Sequence, residues 1–273
     1  HRVSISLLLA LCLIMAWMVW RKMGAGLIHL PATGGMPFGI GLDLVIAMPI
    51  SWLPLAADYA RFSRRPGPAA WGTWIGYFII SSGMYVLGLA AALATGSHTP
   101  EAMIMALMAE TGWIAAAVLI VVLSTFTTTF LDVYSAAVSN LNLPFHLSEK
   151  KAVIIAGALG TAIALAFSAH AYEPFLLYIG SFFCPLFGVV LGDYFLTNRG
   201  RFPADWQQGW FVSGFNMAGV ISWAAGFTIY RLALAQAWPF GASLPSFLAA
   251  GLLYFGLRAL LRKGRSGAGL EGG

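Results

Sequence analysis

The stretch STFTTTFLDVYSAAVSN, residues 124–140, sets threonines, serines and one carboxylate, Asp132, inside an apolar run that extends from Trp113 to Ser139. A run of that length is what a helix needs to cross a bilayer, and a carboxylate within it is costly unless it meets a cavity or a partner. The run has its middle near Phe126, so Asp132 lies about 9 Å from the midplane at a rise of about 1.5 Å per residue, still within hydrocarbon. At about 100° per residue, Thr125, Thr128, Thr129, Asp132, Ala136 and Ser139 share one arc of the helix, and Ser124, Thr127, Thr128 and Ser135 share the arc beside it. Phe126, Phe130, Val133 and Ala137 fall on a third, apolar arc. The helix thus offers a hydroxyl face suited to a hard cation and, next to it, a carboxylate face. Serine and threonine in membrane helices also bond their own backbone carbonyls and permit close packing, a role open to each hydroxyl. Asp132 has no comparably inexpensive structural role.

The rest of the chain places this run in an all-α integral membrane protein. Of 273 residues, 59% are hydrophobic, 14% aromatic and only 9% charged, with a mean hydropathy of +0.80, far from soluble composition. Long continuous runs, rather than short alternating ones, exclude a membrane β-barrel. Eight spans are predicted: Val3 to Trp20, Phe38 to Ala57, Ala69 to Thr95, Trp113 to Ser139, Ala152 to Phe167, Phe175 to Phe195, Trp210 to Tyr230 and Leu244 to Leu261. They form a single transmembrane domain over 1–263, followed by a Gly-rich tail, 264–273, expected to be disordered. With the N-terminus inside, only Arg21, Lys22 and Arg231 of the 15 Lys and Arg residues fall outside. Positive loops stay cytoplasmic, so both ends are expected there, and the net charge of +5 is a topology signal that gives no support to nucleic-acid binding. The first residue is His1, with no initiator Met and no signal-peptide pattern, so the chain reads as a fragment.

A second stretch, AMPISWLPLAADYARF at 47–62, carries Pro49 and Pro54 on either side of Ser51 and Trp52. Each proline deletes a backbone donor and crowds the carbonyl four residues back, so two of them predict a break or a strong kink. Broken helices build substrate sites in secondary transporters, and Trp52 could stack on a flat ring at the break. The remaining signals are blander. GTWIG at 72–76 and GVVLG at 188–192 predict close helix crossings. Pro185 predicts a kink that is either passive or a gate hinge. Cys12 and Cys184 read as small buried side chains. Asp43 sits near an outer helix end, where a carboxylate can reach water. The histidines lack metal-ligand spacing, and no nucleotide-binding or hydrolytic motif occurs.

SWLPLAADYARF at 51–62, STFTTTFLDVYSAAVS at 124–139 and FLLYIGSFFCPLFGVVLGDYF at 175–195 together resemble the nucleobase-cation-symport-1 family of cytosine, purine, hydantoin and allantoin transporters, most closely its hydroxymethylpyrimidine branch. The resemblance implies a twelve-helix fold with two inverted five-helix repeats, of which this chain holds about helices five to twelve and lacks the N-terminal four. It implies that Ser51 and Trp52 line the substrate pocket, and that Ser124, Thr127 and Thr128 ligate sodium, one through its backbone carbonyl and two through hydroxyls. The family often has asparagine where this chain has Thr129, Leu131 and Asp132. Thr129 and Asp132 are therefore substrate-binding candidates, with Asp132 facing the ring nitrogen and exocyclic amine of an aminopyrimidine.

The expected function is that of a cation-coupled symporter importing a pyrimidine, hydroxymethylpyrimidine in first place and cytosine or another nucleobase in second. Sodium or a proton is the coupling ion. No cofactor, nucleic acid or obligate protein partner is expected; the partners are the small-molecule substrate and the lipid of a bacterial inner membrane. An intramembrane enzyme using Asp132 is the rival of another class, and it requires a second catalytic group that these spans do not supply. A channel would favour charged rings over one kinked aromatic site, and a purely structural subunit leaves the two prolines unexplained.

Overall fold

The computed structural model describes residues 2–24, 26, 35–60, 63–97, 99–109, 111–140, 147–167, 172–201 and 216–268. These residues are almost all helical, with no strand among them. In chain order the helices are α1 (Arg2–Met23), α2 (Phe38–Ala60), α3 (Pro66–Thr95), α4 (Pro100–Ala109), α5 (Ile114–Ser139), α6 (Glu149–Ala166), α7 (Tyr172–Leu191), α8 (Met217–Ala235) and α9 (Ser243–Ala268). A π-helical turn, Gly192–Thr197, extends α7. In hydrocarbon every backbone polar group must be satisfied within the segment, which is why such apolar sequence folds as helix.

Seven of the helices are long and apolar enough to cross a membrane. The eighth expected span is helical as α6, but its 18 residues include Glu149, Lys150 and Lys151 in the first turn, so it falls short of the other seven by composition. Helix α4 is a ten-residue apolar helix that was not expected. The span placed at 210–230 is found at Met217–Ala235; 210–215 lie outside the described residues. The tail expected from 264 is helical to Ala268, and 269–273 lie outside the described residues.

Helix α2 is not interrupted where a break or strong kink was expected. Pro49 and Pro54 both lie inside a helix that continues from Phe38 to Ala60. Proline's fixed φ is compatible with a helix; what it loses is one donor per ring, which a helix in a protein environment can sustain. The Ser51 hydroxyl donates to the Met48 carbonyl at 2.6 Å.

The chain divides into two compact units. The first comprises α1, α3, α4, α5 and α6 with the end of α2 from Leu55. Its core is the cluster of Leu11, Met18, Val19, Ala91, Leu107, Met108 and Ala117, where α1 meets α3, α4 and α5. Gly96, with φ of 65°, ends α3 and donates its N–H to Ala92 O, a left-handed cap that glycine adopts without strain. Cys12 is half-buried, with its thiol 3.7 Å from the Met84 sulfur.

The second unit comprises α2 up to Pro54 with α7, α8 and α9. Its packing is backbone against backbone. A Cβ at Gly188 would strike the Phe247 carbonyl, and one at Gly192 would come within 3.0 Å of the Gly251 carbonyl. Across α8, a Cβ at Gly226 would lie 2.6 Å from Pro185 Cβ and 2.8 Å from Ala250 Cβ. Pro185 is thus a fully buried packing surface, and α7 stays helical through it. The Ser246 hydroxyl donates to Gly226 O at 2.9 Å, and Trp223 donates its indole N–H to Phe182 O at 3.0 Å. Cys184 is buried and free beside Tyr230, Ala233 and Ala242.

Candidate functional site

The candidate residues fall on two elements. On α5, the hydroxyls of Thr127 and Thr128 both donate to the backbone carbonyl of Ser124, at 2.8 and 3.1 Å. Spacings of three and four residues put these side chains over the same turn, so three oxygens gather at one point of the helix. These oxygens fit a hard cation by donor type: a carbonyl and two hydroxyls, with no soft ligand among them. To accept one, both hydroxyls would turn their protons away from Ser124 O and present lone pairs, a rotation that costs little because a hydroxyl is both donor and acceptor. Thr125 makes the same kind of backward bond, to Val121 O at 2.9 Å.

Further along the same helix, Thr129 and Asp132 are both exposed. Among the described residues the Asp132 carboxylate has no hydrogen-bond or ion-pair partner. The structure therefore gathers Ser124, Thr127 and Thr128, and leaves Thr129 and Asp132 on an open face of the same helix. Ser51 and Trp52 are half-buried on α2. Below them Met48 receives the Tyr172 hydroxyl at 3.6 Å, and Ile50 packs on the Cys184–Tyr230 core.

Two polar arrangements in the second unit escaped the sequence reading. Asp43, expected near water, is 1% exposed. Its Oδ1 accepts the N–H groups of Ala242 and Ser243 at 2.9 and 2.8 Å, and its Oδ2 accepts Ala242 N–H at 2.7 Å. The signal that could have found it is Ala242 itself: α9 begins at Ser243, so its cap position holds a residue with no capping side chain. The other arrangement is a relay. Asn216 caps α8 by accepting Gly219 N–H at 3.1 Å, and donates to the Tyr254 hydroxyl at 3.0 Å. That hydroxyl in turn donates to Asp193 Oδ1 at 2.8 Å. The relay edges a cavity of about 340 Å³ lined by Val189, Val190, Leu191, Asp193, Tyr194, Asn216 and Tyr254. It joins α8 and α9 to the π-helical turn, a distortion that often accompanies functional segments.

The seven long apolar helices define an integral membrane protein. A sequence profile described as permease for cytosine/purines, uracil, thiamine and allantoin matches residues 2–254, and the chain belongs to that family. The family is one of permeases, not of enzymes. The chain is 29% identical over 167 residues to the cytosine permease of Escherichia coli K12, a match covering 61% of this chain and 38% of the relative. The cytosine permeases of E. coli O6:H1 and O157:H7 match to the same extent. Over that match the chain spans well under half the length of these relatives. No solved structure matches it.

Proposed function

We propose that the protein is a cation-coupled symporter that imports a pyrimidine-type ring by alternating access, with hydroxymethylpyrimidine as its preferred substrate and cytosine as the alternative. The observation that carries this reading is family membership over residues 2–254. Similarity to cytosine permeases supports a ring with an amine beside a ring nitrogen. The unpartnered carboxylate of Asp132, in place of an amide, supports a substrate that presents two donors to one carboxylate. Trp52 supplies a face for ring stacking and Ser51 a hydroxyl close to it in sequence, while Thr129 lies one turn before Asp132.

Sodium is the coupling ion in this proposal, held by Ser124 O, Thr127 Oγ1 and Thr128 Oγ1; a proton on Asp132 is the variant. Either ligand can shift the access equilibrium only by its differential affinity for the two states. Both chain ends would face the cytoplasm of a bacterial inner membrane.

The test is competition. Uptake of labelled hydroxymethylpyrimidine should resist a large excess of cytosine, and Asp132→Asn should weaken uptake about tenfold or more, as expected when a charge-assisted hydrogen bond becomes a neutral one. Cytosine that competes on equal terms would move the protein to the cytosine alternative. Unchanged affinity in Asp132→Asn would remove the carboxylate from the site.

A further inference from the structure

We infer that Asp43 is a positioning residue that locks the axial register of α2, and through it the placement of Ser51 and Trp52; the inference rests on the reading of those two residues as substrate-binding. Helix α9 cannot cap itself. Ala242 has no polar side chain, Pro245 has no N–H, and the buried Ser243 hydroxyl accepts no N–H group of its own helix. The N–H groups of Ala242 and Ser243, at the entry to α9, are instead taken by a carboxylate 199 residues before Ala242. A carboxylate at a helix N-terminus meets both the unpaired donors and the positive end of the helix dipole.

The attachment is a stripe rather than a point. Gly39, Asp43, Ile46 and Ile50 follow one another at spacings of four, three and four, one face of a helix. Gly39 lies so close to the turn before α9 that a Cβ there would strike the Trp238 carbonyl and come within 2.7 Å of Gly241 N. Gly241 has φ of 74°, a left-handed conformation that suits glycine. Ile46 and Ile50 close the stripe on the core around Cys184 and Tyr230. Trp52 follows Ile50 by about 200° around the helix, on the far side from this attachment.

Apolar contacts alone would tolerate sliding, because one aliphatic side chain replaces another at little cost. The carboxylate does not. A displacement of one turn would take Asp43 off the two N–H groups and leave a buried acceptor and two buried donors unpaired, so one register is selected. Ser51 and Trp52 sit eight and nine residues beyond this lock, on the same uninterrupted helix.

The experiment separates positioning from capping. In a background with Cys12 and Cys184 replaced by alanine, Ser51→Cys reports the placement of α2 through its rate of reaction with a membrane-permeant maleimide. Thermal stability of the purified protein is followed in parallel. Asp43→Ala should raise the labelling rate about tenfold, consistent with loss of a fixed geometry, and lower Tm. Adding Ala242→Ser, which supplies a local cap in the space the carboxylate leaves, should recover Tm and leave labelling fast. Asp43→Asn, which keeps one acceptor, should speed labelling by a few-fold with a smaller loss of Tm, and it carries the test if the alanine variant does not fold. Labelling at the parental rate in the Asp43 variants, or labelling that recovers together with Tm on adding Ala242→Ser, would overturn the inference. The labelling readout needs no substrate, so its failure is distinct from a failure of the parent protein to transport a pyrimidine.

Discussion

Two glycine pairs of identical spacing behave differently in this molecule. In α7 and the π-helical turn that extends it, Gly188 and Gly192 lie against the backbone of α9, where the carbonyls of Phe247 and Gly251 occupy the space a Cβ would need. In α3, neither Gly72 nor Gly76 has any atom within 4 Å of its Cβ position, and their neighbours Trp71 and Trp74 are 64% and 61% exposed. The motif states that a backbone can be approached; only a partner helix with its own small residue, as α9 has in Gly251, turns that into a crossing. The same contrast runs through the two units. One is held by carbonyl contacts, buried serines and the Asp43 cap, and the other by an apolar cluster of Leu11, Met18, Val19 and their neighbours.

A graded series of alanine substitutions would break or sharpen this contrast. Gly188→Ala should be the most damaging, at about 1–3 kcal/mol or more, because the colliding atom is backbone and cannot move aside. Gly192→Ala should cost less, toward about 1 kcal/mol, since a Cβ there comes to 3.0 Å of Gly251 O and a small shift relieves it. Gly72→Ala and Gly76→Ala should change stability by no more than about 1 kcal/mol, in the stabilising direction, as expected when alanine replaces glycine in a helix. Thermal melts of the detergent-purified variants measure all four. A loss at Gly72 as large as at Gly188 would mean that α3 has a helix partner in the membrane.

Run length made most of the fold legible, because hydrophobic thickness leaves few alternatives for an apolar stretch of twenty residues. The run expected at 152–167 is helical within α6, whose first turn adds three charges, while α4 was missed, being too short to register as a span. The proline pair shows the reverse limit: Pro49 and Pro54 mark lost donors, and α2 stays helical through both, since a helix can lose donors without breaking. The gathering of Ser124, Thr127 and Thr128 was legible because it depends only on spacing along one helix. Asp43 was not, because its partners are 199 residues away and position relative to a span end does not reveal which helix terminus waits there. Nor does spacing distinguish GTWIG from GVVLG, whose difference lies wholly in what stands opposite.

In the proposed function, cation binding at the Ser124–Thr127–Thr128 oxygens drives the uptake of a pyrimidine, and transport in proteoliposomes measures that coupling. With an inward sodium gradient, labelled hydroxymethylpyrimidine or cytosine should accumulate above its external concentration, and Thr128→Ala should raise the sodium concentration for half-maximal uptake about tenfold, the equivalent of about 1.4 kcal/mol of lost binding. Accumulation driven only by a proton gradient would transfer coupling to Asp132. Equilibration of the substrate with no accumulation under either gradient would contradict the account.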